Sequence, residues 1–294
     1  MAKQILPTYS IQTLNKAAPS PKDFVGDHFA HYLDEHPNLH FPHKHSFYHL
    51  VYFSKGAGTH SIDFVQFPVE PGQIYFMIPG QVHSWNFTTP PDGYIVNFSE
   101  QYVQSLITDP QYLDQFRFFS GIAKDQVIHI PEKNRSSVET TLKLIVQEGN
   151  STDALKDDFA RTALVQLFIQ VSRLTTNGER KQNGQYNSLL LQNFRKLIDQ
   201  HYKEKKLTKE YAAMLYVTPN HLNALCKDLT DLSAGELIRN RILLEAKRLL
   251  TNAKINVSEI AVDLGFADNS YFSKFFKKYE GVSPEVFRKQ FIKN

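Results

Sequence analysis

The stretch from His40 to Gly58, HFPHKHSFYHLVYFSKGAG, packs His40, His43, His45 and His49 into ten residues and then runs into an apolar segment. Imidazoles at this density support two chemistries. Neutral ring nitrogens are competent ligands for zinc, nickel, copper or iron. The same nitrogens can donate and accept hydrogen bonds in the wall of a pocket for a polar organic molecule. On a β-strand successive side chains alternate between faces, so residues 43, 45 and 49 share one face. No phosphate-binding glycine motif, nucleophile elbow or zinc-protease pattern accompanies them, so no catalytic residue is assigned and an enzyme is not expected.

The elements that must position these rings follow from the texture of the chain. From about Phe24 to Ser99, short apolar or alternating runs (FYHLVYF, GTHSIDFVQF, QIYFMIPG, GYIVNF) are punctuated by Gly and Pro, which predicts a β-barrel or sandwich. Residues 100–119 read as a short helical segment and GIAKDQVIHI as a last strand. Helices are predicted over about 135–149 and 153–175. In the second of these, Leu155, Phe159, Ala163, Val165, Leu167, Ile169, Val171 and Leu174 give an apolar face wide enough for a core plus a partner. Residues 1–20 read as an arm, 176–187 as a polar linker rich in Gly and Asn, and everything from Ser188 as short helices.

Length and composition bound the classes. The 294 residues suit two domains, and 41% hydrophobic with 21% charged residues is globular. No window reaches the roughly 18 apolar residues of a membrane span, and no apolar run fits a signal peptide. A single cysteine, Cys226, leaves no intramolecular disulfide and points to a reducing cytoplasm. Net charge is −3 over residues 1–187 and +6 over 188–294, while ten of the twelve histidines precede residue 130. An acidic, histidine-rich front and a basic back imply different partners.

The basic half contains a repeat. Residues 207–237 and 257–287 align with Leu215 against Leu264, Ala212 against Ala261, Leu222 against Phe272, Lys227 against Lys277, and Ser233 against Ser283. Each copy reads helix, tight turn, helix, and AGELIRNRILLEAKRLL joins them. On a helix from Asn269, residues Phe272, Phe275, Phe276 and Tyr279 form one face and are expected in the core. Asn269, Ser270, Ser273 and Lys274 face outward, with Lys277 and Lys278 in the last turn. In the first copy Thr218 caps, Pro219 opens the helix, Asn220, His221, Asn223 and Ala224 lie outward, and Lys227 sits near phosphate height. Short polar side chains at the start of a second helix suit base-edge reading in a major groove of double-stranded DNA.

IAVDLGFADNSYFSKFFKKYEGVSPEVFRK, with LIRNRILLEAKRLL upstream, resembles the C-terminal signature of AraC-type transcriptional regulators over about residues 190–292. The resemblance implies paired helix-turn-helix units in successive major-groove segments, with base-facing residues at Asn220, Asn223, Ala224, Asn269, Ser270, Ser273 and Lys274. Three departures stand out: Ala224 where the family often has Arg, Cys226 in place of a core Phe, and Tyr216 where the first turn often has a smaller residue.

The front half is similar to the family's cupin-type sensor barrel followed by two dimerising helices. PHKHSFYHLVYFSKGAG and VEPGQIYFMIPGQVHSWNF resemble the two cupin motifs, which implies metal-ligand positions at His43, His45, His49 and His83. In the regulators such a barrel more often holds an organic effector. His43, His45 and His83 then become hydrogen-bonding groups of a carbohydrate pocket, with Trp85 its stacking wall. His28, His31, His36 and His40 read as loop or edge surface.

The expectation is an α+β chain: an arm (1–20), a cupin-like ligand-sensing and dimerisation domain (21–175), a linker (176–187), and an all-α domain of two helix-turn-helix units joined by a linker helix (188–294). It is expected to act as a homodimer on DNA under a small-molecule effector, with Leu167, Val171 and Leu174 at the dimer contact and RNA polymerase as a further partner. No cofactor is expected; the alternative is a divalent metal on His43, His45, His49 and His83, in a metal-dependent sensor or a cupin enzyme fused to the DNA-binding domain.

Overall fold

The computed structural model describes residues 6–14, 23–175 and 182–292. Residues 1–5 and 15–20 of the arm and 176–181 of the linker lie outside the described residues. The chain forms two compact units, Pro7–Gly178 and Glu179–Asn294.

The first unit is built on one eight-stranded sheet: β1 (Thr8–Tyr9), β2 (Phe24–His28), β3 (His43–His45), β4 (Tyr48–Ile62), β5 (Val65–Val69), β6 (Gln73–Met77), β7 (Val82–Phe98) and β8 (Val127–His129). The path is β1-β3-β7-β4-β6-β8, with β2 added on β7 and β5 on β4. The long strands β4 and β7 pair antiparallel from Tyr48↔Phe98 to Ile62↔His83, with register shifts between Phe53 and Gly58. Those irregularities bend the ribbon, because His49 pairs with Asn97, fourteen residues along β7 from His83. An extended strand would separate the two by roughly 46 Å. Yet the rings of His49 and His83 lie 5.2 Å apart, so the sheet folds back on itself. Gly93 permits the bend: its φ is 147°, and an added Cβ would strike the Tyr52 carbonyl.

Both faces of the sheet are covered, which is why FYHLVYF is apolar almost without alternation. On one face Leu50, Tyr52, Ile74, Phe76, Val96 and Phe98 pack against the antiparallel helices α4 (Glu132–Gly149) and α5 (Lys156–Thr175). On the other, Val51, Phe53, Ile62, Tyr75, Trp85 and Ile95 pack with α1 (Ile11–Leu14) and α2 (Phe29–Glu35). A short α3 (Glu100–Gln104) follows β7.

Four expectations change. Among the described arm residues, Tyr9 is in a strand and Ile11 and Leu14 are buried, because a parallel pairing with β3 gives the segment backbone partners. A helix, α2, stands where loop or strand edge was expected. Leu167 and Val171, expected at a dimer contact, are fully buried against the sheet, and Leu174 packs half-buried at the edge of the same cluster. The exposed apolar side chains near the start of α5 are instead Leu155 and Phe159; Leu155 precedes the helix with φ of 62°. The breadth of the apolar stripe concealed which part of it met the sheet.

The second unit is all helical: α6 (Gln182–His201), α7 (Thr208–Met214), α8 (Pro219–Thr230), α9 (Ala234–Leu250), α10 (Val257–Asp263), α11 (Asn269–Glu280) and α12 (Pro284–Ile292). Residues 182–187, expected in the linker, open α6. Ile238, Ile242, Ala246 and Leu250 repeat every four residues along α9 and are buried, so one stripe of this helix faces both repeats. Ser233 with Glu236, and Asn256 with Glu259, form reciprocal capping boxes at the starts of α9 and α10. Asp231 and Gly281, both left-handed, end α8 and α11. Phe272 and Phe276 are core as expected, but Phe275 is half-buried and Tyr279 is exposed beneath the Arg239 guanidinium.

Candidate histidine centre and DNA interface

The fold-back of β4 on β7 gathers five histidines, not four. His43 and His45 come from β3, His49 and His60 from β4, and His83 from β7, and all are at most 2% exposed. His43 pairs directly with His83 across the ladder, and His60 with Trp85. The sequence reading passed over His60. Its parity with Ile62, in an alternating run, was the available signal.

Hydrogen-bond partners fix the protons on two of these rings. His43 Nδ1 lies 2.7 Å from the Phe41 carbonyl, which can only accept, so Nδ1 carries the proton and Nε2 is a bare lone pair. That Nε2 lies 3.1 Å from Nε2 of His45. Asn97 donates its amide to the Tyr32 hydroxyl and offers Oδ1 to His49 Nδ1 at 2.6 Å, so the lone pair of His49 is also on Nε2. His60 Nε2 and His83 Nδ1 are 3.2 Å apart. Among the described residues, His45 Nδ1, His49 Nε2, His60 Nδ1, His83 Nε2 and the Trp85 indole nitrogen have no hydrogen-bond partner. Burial lowers every one of these histidines: His43 to about 4 and His49 to about 3, with His45, His60 and His83 also well below the usual range. The rings are neutral near pH 7, the state in which imidazole binds a metal.

One nitrogen each from His43, His45 and His83 falls within a mutual 4.8 Å. His49 stands outside this set, stacked on His45 at 4.7 Å, so the four expected ligands become three. Trp85, expected as an open stacking wall, is 4% exposed. Phe29 meets it edge-on at 5.4 Å and His83 at 4.8 Å, and Phe87 stacks at 6.2 Å. The arm closes the other side. Lys44 and Ser46 amides donate to the Pro7 and Tyr9 carbonyls, and the Tyr9 ring sits 5.5 Å from His43. His28, His31 and His40 are on the surface and His36 is half-buried, bonded to Tyr32 and Leu14 carbonyls.

In the second unit both repeats form helix-turn-helix pairs, α7–α8 and α10–α11. Thr218 accepts from the His221 amide and Asp268 from the Tyr271 amide, which fixes the start of each second helix. Asn220, His221, Ala224, Lys227, Asn269, Ser270, Lys274, Lys277 and Lys278 are exposed and Ser273 half-buried. Asn223 is half-buried, and its Oδ1 accepts the Ala234 amide at 3.1 Å. A surface groove of about 570 Å³ runs along α8, lined by Thr208, Asn220, Asn223, Ala224, Lys227, Ser233 and Gly235. Cys226 is fully buried in the core position expected of it, and burial pushes its thiol up to about 11. The sequence reading omitted Tyr271, exposed in the first turn of α11 with its ring 5.8 Å from Phe266.

Residues 26–192 match the AraC-like ligand binding domain, and residues 211–290 match a helix-turn-helix domain. The chain belongs to the AraC family of transcription regulators. This AraC-type chain is 22% identical over 258 residues to the transcriptional activator RhaR of Mannheimia succiniciproducens, covering 85% of this chain and 88% of that one. It is 23% identical over 261 residues to the transcriptional activator RhaS of Klebsiella pneumoniae, covering 86% and 89%. A solved structure of ToxT from Vibrio cholerae overlays with a TM-score of 0.45 at 13% identity, over 91% of this chain and 98% of that one. Among the described residues no helix is long and apolar enough to cross a membrane. The AraC-type chain is thus a DNA-binding transcription regulator with an N-terminal ligand-binding domain.

The neutral rings make stability depend on pH. Below the ordinary value of 6.5 the unfolded chain takes up protons that the folded chain refuses until about pH 4 at His43 and about pH 3 at His49. The stabilisation is therefore complete above pH 6.5 and lost as pH falls. Each such histidine removes about 1.4 kcal/mol per pH unit through that window. Denaturant unfolding with a chelator present, at pH 7.5 and 5.0, is expected to show this loss, and His60→Phe is expected to shrink it. Equal stability at the two pH values would mean the rings are not buried neutral.

Proposed function

We propose that this regulator senses a divalent transition metal through His43, His45 and His83, and that occupancy of the site governs its binding to DNA. The observation that carries this reading is the pair of Nε2 atoms of His43 and His45, 3.1 Å apart. Two nitrogens bound at about 2.1 Å to one ion stand roughly 3.0–3.4 Å apart. The His43 proton is held on the far nitrogen by a backbone carbonyl, the outer-shell arrangement that aims a histidine at a metal. His83 adds a third ring nitrogen to the set, and its Nε2 has no partner among the described residues. A buried polar atom left so costs about 1–3 kcal/mol, which argues against five purely structural rings. When bound, the ion supplies charge and a fixed coordination geometry. The chain holds the three rings neutral and excludes water from them.

A carbohydrate fits this packing less well. The His43–His83 and His83–Trp85 centroids are 4.1 and 4.8 Å apart, which is contact distance, and a sugar ring between two walls needs about 7 Å. Metal content of the untagged full-length protein, with a thermal melt against divalent metals and monosaccharides, separates the two. Metal at 100 times its dissociation constant adds about 2.7 kcal/mol of stability. His43→Ala and His83→Ala are expected to abolish the shift. A shift with a sugar in the presence of chelator would replace the metal reading with the organic one.

On DNA, α8 and α11 enter successive major-groove segments, each through the exposed polar start of the helix. Lys274→Ala is expected to weaken binding by about 1–3 kcal/mol and to relax base preference at one position. Unchanged preference in a selection from random duplexes would remove Lys274 from the base-reading set.

The regulator acts as a homodimer, and metal shifts the population between dimers able and unable to hold two half-sites. The contact we assign is the exposed start of α5 with Phe159, in place of the buried Leu167 and Val171. Phe159→Glu is expected to move the sedimentation coefficient from dimer to monomer without loss of the thermal transition. A dimer that survives the change would place the interface elsewhere.

A further inference from the structure

The turn between α7 and α8 holds Tyr216 at φ of 56°, with 96% of the residue exposed. Left-handed backbone is strained for a bulky side chain and free of strain for glycine. The matching turn of the second repeat does carry glycine, Gly265, at φ of 68°. There a second constraint applies, because an added Cβ would strike the Lys203 carbonyl. The Lys206 ammonium lies over this contact, donating to the Lys203 and Gly265 carbonyls at 2.7 and 3.0 Å. The segment that follows α6 is docked on the second turn in this way, whereas Tyr216 stands in solvent.

An aromatic ring left in water adds no burial to folding. Neither packing nor backbone preference therefore accounts for tyrosine at 216. Strain retained without compensation inside the fold marks a side chain used by something outside it. The position says what that is. Tyr216 lies two residues ahead of Thr218, the cap of α8, at the end of the helix that carries Asn220 and borders the groove. Helix-turn-helix units present that end of the second helix to the duplex. The first helix-turn-helix pair also has fewer holding groups: α8 has Ala224 where α11 has Lys274, and its exposed lysine is Lys227, against Lys274, Lys277 and Lys278 on α11.

We propose that Tyr216 is a DNA-backbone contact of the first helix-turn-helix pair, α7–α8. Its hydroxyl donates to a phosphate oxygen and its ring packs on the adjoining deoxyribose, at the edge of the groove that α8 enters. This rests on the reading of α8 as a recognition helix. The contact adds affinity and register without reading a base.

The test uses full-length protein and a duplex selected by the wild type from a random pool. Tyr216→Gly removes the side chain together with the strain, so its melting temperature is expected at or above that of the wild type. Its affinity is expected to fall about tenfold, as for loss of a hydrogen bond to a charged group, and Tyr216→Phe is expected to fall between. Base preference and the slope of log affinity against log salt stay as in the wild type, because a neutral hydroxyl displaces no counterion. Lys227→Ala, measured alongside, is expected to lower that slope by about one. Wild-type affinity in Tyr216→Gly with a weakened Lys227→Ala would overturn the proposal and leave α8 at the DNA. Altered base preference in Tyr216→Gly would overturn it too, making Tyr216 a base reader. Wild-type binding by both variants would remove α8 from the duplex and the proposal with it.

Discussion

The bend of β4 against β7 is the constraint on which the first unit depends. A flat ribbon would hold His49 and His83 tens of ångströms apart and would leave one of its apolar faces in water. Folding the ribbon back gives each face its own cover, helices on one side and rings with the arm on the other. The same bend removes five imidazoles from water. Their lowered proton affinity and their unpartnered nitrogens are two consequences of one geometric event. A buried polar network helps a fold only when it is fully satisfied. The described protein groups satisfy this one in part, and one nitrogen each of His43, His45 and His83 converges.

Much of this was legible. Parity along a strand put His43, His45 and His49 on one face, and the register of β3 on β7 brought His83 to them. His60 escaped because it sits alone in its run, eleven residues from His49, the nearest in sequence of the wall histidines His43 to His49, and only the pairing of β4 with β7 sets it beside Trp85 and His83. His49 was grouped by position, but a strand pattern cannot show that Asn97 would turn its ring aside. The stripe on α5 was read correctly as apolar and divided wrongly. Periodicity reports that a face is hydrophobic and does not say which neighbour it meets. Leu155 looked helical by spacing and instead precedes the helix in left-handed backbone, a choice that depends on local turn geometry.

In the second unit the repeat was plain and its asymmetry was not. The alignment of Leu215 with Leu264 and Ser233 with Ser283 shows two equivalent units. Packing makes them unequal. The segment after α6 reaches the second turn, where Lys203 pairs with Asp263 at 2.8 Å and Lys206 donates to the Lys203 and Gly265 carbonyls. Arg241 on α9 ties α6 through Asp199 and its own helix through Glu245. Long-range pairs of this kind are between residues whose types are ordinary, so sequence alone carries no signal for them.

The bond from the Ala234 amide to Asn223 ends as a statement about information. An asparagine free to turn can place its carbonyl and its amide together on adenine, accepting and donating at once, and so distinguish that base from the other three. With Oδ1 already committed inside the protein, the outward edge of Asn223 holds donors alone. A donor meets N7 of either purine, O6 of guanine and O4 of thymine without telling them apart. Beside it Ala224 offers a methyl group and nothing that can count hydrogen bonds. On the proposed reading, α8 therefore speaks a smaller alphabet than α11.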